Sequence, residues 1–74
     1  MESFISILKD GVDVFEDIDM KPETDFKSVP DWDSVSLLSI MAAISSEYGI
    51  IVHAELINSV TTVAELWDLV QAKK

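Results

Sequence analysis

Residues 34 to 48 constrain this chain most. The run Ser34 to Tyr48 holds fifteen residues without glycine, proline or charge except Glu47. Leu37, Ile40, Met41, Ile44 and Tyr48 recur at spacings of three and four, which predicts one buried helical stripe. Asp33 stands in front as an N-cap, because its carboxylate can accept from the free amides of a first turn. Gly49 follows as a C′ stop. A helix of this length within 74 residues leaves room only for partners that pack against it. The opposite face carries Val35, Leu38 and Ala42, interleaved with Ser36, Ser39, Ser45 and Ser46. Solvated faces are normally charged, and this one is not.

The rest of the chain supplies the partners. Phe4, Ile5, Leu8, Val12 and Phe15 form a second stripe, predicting a helix over residues 2 to about 16, with Ser3 as a cap and Gly11 inside it. Residues 17 to 33 read as a long connection, broken by Pro22 and Pro30 and anchored by Ile18, Phe26, Val29 and Trp32. Ile50-Ile51-Val52 has no second strand to pair with and reads as a buried connection. Residues 53 to 58 allow a turn or two of helix with Leu56 and Ile57 inward. Thr62-Val63-Ala64-Glu65 fits a capping box that starts a last helix, whose stripe is Val63, Leu66, Trp67 and Val70. Lys73 and Lys74 suit its C-terminal end. The expectation is all-α: a single domain over residues 1–74, a small bundle of three main helices plus one short helix, with a long first loop.

Composition narrows the function. Apolar residues make up 49% of the chain, enough for a core, and there is no cysteine for a disulfide or thiolate site. Net charge is −9, and from Ser28 to Ala72 there is no lysine or arginine. Such a chain is repelled by nucleic acid and by anionic membrane surfaces, and basic proteins complement it. No apolar run reaches the ~18 residues of a membrane span, and the N-terminus lacks a basic segment followed by an apolar one. A cytoplasmic monomer is the default.

Candidate chemistry is sparse. A nucleophilic serine needs a base, and the only histidine, His53, lies nineteen residues beyond Ser34 with no Gly-x-Ser-x-Gly elbow around the serine. Asp10, Asp13, Asp17 and Asp19 cluster, and Asp31 and Asp33 alternate. Neither set has the glycine and terminal glutamate of a calcium loop, so no metal is assigned. Ser34, just after an N-cap, has its hydroxyl outside the helix, where a phosphodiester would meet free amides. Ordinary capping explains Asp33-Ser34 equally well on local chemistry.

The whole chain resembles an acyl carrier protein. The likeness lies in Asp33-Ser34-Val35, the helix through Tyr48-Gly49, the Val60-Thr61-Thr62-Val63 start of the last helix, and the length, acidity and long first loop. The resemblance implies a non-catalytic carrier. Ser34 would receive a covalent 4′-phosphopantetheine arm from coenzyme A through a magnesium-dependent phosphopantetheinyl transferase. The thiol of the arm would hold acyl groups as thioesters for fatty-acid or specialised acyl and polyketide biosynthesis. Partners would be that transferase and acyl-loading, acyltransferase or synthase enzymes. Docking would use the outer face of the helix after the serine, here Val35, Ser36, Leu38, Ser39 and Ala42. Val52, Ile57 and Leu66 would line a space for cargo, although spacing alone reads them as core. An aminoacyl cargo (peptidyl or D-alanyl) and an unmodified helical interaction domain are the alternatives. Val35 replaces the leucine usual after the serine. Serines also stand where fatty-acid carriers place acids, which points to contacts less steered by charge and to a specialised pathway.

Overall fold

A computed structural model describes residues 1–74. It contains four α-helices and no strand: α1 Glu2–Gly11, α2 Ser34–Tyr48, α3 Ala54–Ser59 and α4 Val63–Lys73, with a 3-10 turn at Asp13–Phe15. The expected all-α arrangement of three longer helices, one short helix and a long first loop is what the chain adopts. No helix is long and apolar enough to cross a membrane.

The first stripe is buried as expected, but it is not one helix. Phe4, Leu8, Val12 and Phe15 all lie in the core. Yet α1 ends at Gly11, and Val12 is extended at φ −126°, ψ 108°. The chain then re-forms as the 3-10 turn, with the Phe15 amide donating to the Val12 carbonyl at 3.0 Å. Gly11 lets α1 pack close against α2: a Cβ there would lie 3.0 Å from Cβ of Ala43. Ser3 is no cap; it lies within the first turn, and Met1 holds the N-cap position.

The long first loop is sewn to α4. The Val63 amide donates to the Thr24 carbonyl at 3.0 Å, and the Ala64 amide to the Pro22 carbonyl at 2.8 Å. These are first-turn amides that no helical carbonyl can reach, so the loop completes the helix start. Asp25 and Thr62 add an isolated antiparallel bridge, and Lys27 Nζ donates to the Asn58 carbonyl at the end of α3, at 2.9 Å. Phe26 and Val29 are buried as loop anchors, joined by Met20, which its polar neighbours concealed.

Ile40 and Ile44 of α2, Ile57 of α3, and Val63, Leu66 and Val70 of α4 complete the core. Phe4 meets Trp67 at a centroid distance of 4.8 Å, and Tyr48 joins both rings at the end of α2. There burial, with help from neighbouring Glu47, raises the Tyr48 phenol above its ordinary pKa. Gly49 closes α2 in the left-handed region at φ 67°. The expected buried connection is only half so: Val52 is buried, whereas Ile51 is 65% exposed.

Candidate functional site

Four residues ahead of α2 aim its first turn. Val29-Pro30-Asp31-Trp32 makes a tight turn in which the Trp32 amide donates to the Val29 carbonyl at 3.3 Å. Proline at the second place and a positive φ at the third are the pattern of a type II turn. Asp31 fills that third place at φ 67°, the sole non-glycine residue with positive φ. The turn delivers Trp32 onto Phe15, stacked at 6.1 Å and 18°, with Phe26 edge-on at 5.8 Å. Two core aromatics thus hold the segment that leads into Asp33 and Ser34.

Asp33 caps α2 as expected. Its Oδ1 accepts from the Ser36 amide at 3.0 Å and from the Ser36 hydroxyl at 3.2 Å. The Asp33 amide in turn donates to the Ser36 hydroxyl at 3.4 Å, which closes a reciprocal box. Ser36 therefore does not belong to the outer face assigned to it. It is 4% exposed, and its hydroxyl is used within the cap. The signal was readable in Asp33-x-x-Ser36, since a capping side chain reaches the residue three places on.

Ser34 is the first residue of α2 and is exposed. No hydrogen bond within the chain engages its hydroxyl, and its amide and that of Val35 find no acceptor in the chain. Beyond it, Val35 is 66% exposed and Leu38 61%. Ala42 is exposed and Ser39 half-buried. An apolar strip thus runs along α2 away from Ser34, with no charged side chain before Glu47.

The remaining candidates separate from this site. His53 is the exposed N-cap of α3, without a side-chain cap bond. Asp10, Asp13, Asp17 and Asp19 are exposed around the end of α1 and the loop after it, and Asp31 is exposed in its turn. No group of three or more acidic or histidine side chains is gathered as a metal would need. Val52, Ile57 and Leu66 are closed core residues. None of them borders any of the three surface clefts, because the ring and branched side chains around them fill the space between helices. Elsewhere, the α4 capping box biases the carboxylate of Glu65. There the amides of Thr62 and then Thr61 hold it below its ordinary range, with smaller help from the Thr62 hydroxyl and Lys27.

The residues around Ser34 fit a covalent phosphodiester. The hydroxyl is unengaged and exposed, two neighbouring amides lack acceptors, and the positive end of the α2 dipole lies beside them. The family model for the phosphopantetheine attachment site matches residues 3–70. No curated protein and no solved structure matches the chain.

Proposed function

The chain belongs to the phosphopantetheine attachment-site family, whose members carry a covalently attached 4′-phosphopantetheine, and we propose that Ser34 is the attachment residue of an acyl carrier. The carrying observation is an exposed serine at the first position of α2 whose hydroxyl has no partner, inside the matched residues.

The Ser34 hydroxyl would give its proton to a base of the transferase as its oxygen attacks the pantetheine-bearing phosphorus of coenzyme A, forming one serine–phosphate bond as the pyrophosphate bond to the leaving adenosine 3′,5′-bisphosphate breaks. The chain has no cation between Ser28 and Ala72, so the transferase, with its magnesium, supplies the counter-charge for that step. When bound, the group supplies a terminal thiol for thioester chemistry, which a chain without cysteine lacks. The protein's own part is positional. Asp33 and Ser36 fix the first turn, and Trp32 holds the approach to it.

The chain acts as a non-catalytic substrate of other enzymes: the transferase and those that load, modify or remove an acyl group. Acyl cargo in a fatty-acid or specialised pathway is favoured over an aminoacyl cargo by the acidity. Docking uses Val35, Leu38, Ser39 and Ala42. Their lack of charge fits partners that close on α2 through apolar contact, with the acidic first loop as a long-range attractor. A cytoplasmic monomer accords with an acidic surface and no membrane-crossing helix.

Intact mass after incubation with coenzyme A and a broad-specificity phosphopantetheinyl transferase tests this. One arm should be added to the parent chain and none to Ser34→Ala. A parent chain that gains no mass, or an adduct that survives in Ser34→Ala, overturns the assignment.

A further inference from the structure

A cleft of about 160 Å³ opens between the 3-10 turn and the first two turns of α2. Val12, Val14 and Val35 give it apolar walls, and Asp13 and Ser39 give it acceptors. Asp33 and Val35, the residues on either side of Ser34, both border it. The volume equals roughly five waters at ~30 Å³ each. That suits a compact branched fragment and is too small for a long acyl chain.

We propose that this cleft is the resting place of the pantoyl unit, the part of the arm nearest the phosphate. The inference rests on Ser34 as the attachment residue. The pantoyl unit carries two methyls on one quaternary carbon, then a hydroxyl and an amide. Its methyls match the valine walls. Its hydroxyl and amide N–H are donors, which the Asp13 carboxylate, an acceptor only, and the Ser39 hydroxyl can receive. A free anion would instead face two carboxylates, Asp13 and Asp33. Attachment between two bordering residues makes occupancy intramolecular. A short tether gives an effective concentration on the order of millimolar, so weak contacts suffice. Val35 then has two faces, one toward the cleft and one continuing the exposed strip.

The competing place is the larger cleft between α2 and α3, about 590 Å³, bordered by Met41, His53 and Leu56. Met41 lies seven residues along α2 from Ser34, about 10 Å at 1.5 Å per residue. The two sites therefore give different contacts for the same methyls.

The test uses the arm-bearing protein with carbon-13-labelled valine, leucine and methionine methyls and an unlabelled arm, its mass verified first. Cross-relaxation peaks should link the pantoyl methyls to the methyls of Val14 and Val35, and those valine resonances should shift between the unmodified and modified protein. Peaks to Met41 and Leu56 in their place, or no peaks to Val14, in a protein whose mass shows the arm overturn the cleft assignment. A mass without the arm overturns the Ser34 reading instead.

Discussion

One carboxylate oxygen, Oδ1 of Asp33, receives both the amide and the hydroxyl of Ser36, at 3.0 and 3.2 Å. Ser34 and Val35 are enclosed between the two partners of this box, so the cap sets where the exposed serine stands. Asp33→Ala should cost about 1 kcal/mol of stability, the usual worth of an N-cap. Amide exchange measured through α2 should then quicken at Ser36 and Leu37, whose amides bond to Asp33, and stay slow at Ile44. Unchanged exchange at the first turn would show that Trp32, not the cap, fixes it.

Asp31 pays a steric cost that glycine would avoid. A left-handed backbone costs an L-residue roughly 1–2 kcal/mol, least for aspartate and asparagine, whose short polar side chains bond locally. Thermal unfolding should rank the variants with Asp31→Gly at or above the parent and Asp31→Val clearly below both. Equal melting for Asp31→Val would contradict the positive φ.

Glu65 links stability to acidity. Its folded-state pKa lies below the unfolded one, so it contributes stability at neutral pH that is lost as pH falls through the ordinary glutamate range and the depressed folded value. Glu65→Gln keeps an acceptor for the Thr61 and Thr62 amides but not the charge. The parent should therefore melt higher than Glu65→Gln at neutral pH, and the gap should narrow as pH falls through the ordinary glutamate range and close below the depressed folded value. A gap that persists in acid would assign the effect to shape rather than charge.

Leu38 separates docking from folding. It is 61% exposed, so Leu38→Asp should change stability by no more than about 0.5 kcal/mol and leave helicity by circular dichroism intact. Turnover by an enzyme that acts on the loaded carrier should fall, chiefly through a raised KM. Parent turnover should depend only weakly on salt. A steep decline with ionic strength would instead make the acidic loop the principal contact.

Much of this was legible because the signals are local. Asp33, Gly49 and Thr62-x-x-Glu65 are short-range hydrogen-bonding and backbone devices, and each acts where its spacing predicts. The stripes of α2 and α4 were likewise readable, since helical spacing alone decides which side chains share a face. Ser34 was legible as a serine at a helix start, and residue type alone left its hydroxyl between capping and attachment.

Other features were decided by contacts distant in sequence. Val12 leaves the helix so that its own side chain and that of Phe15 both reach the core, which no reading of the 4-8-12-15 stripe separates from a continuous helix. Ile51 points outward while its equally apolar neighbour Val52 is buried, because only one of them faces the bundle. Pro22 and Thr24 serve α4 with carbonyls that any residue would offer, so their identity carried no trace of the role. The sequence by itself determined the capped starts of α2 and α4, the stop at Gly49 and the apolar stripes of these two helices, because capping and periodicity act within a few residues. Tertiary structure alone decided that a valine-walled cleft lies beside Ser34, because its two sides come from the 3-10 turn and α2, some twenty residues apart, and only packing brings them together.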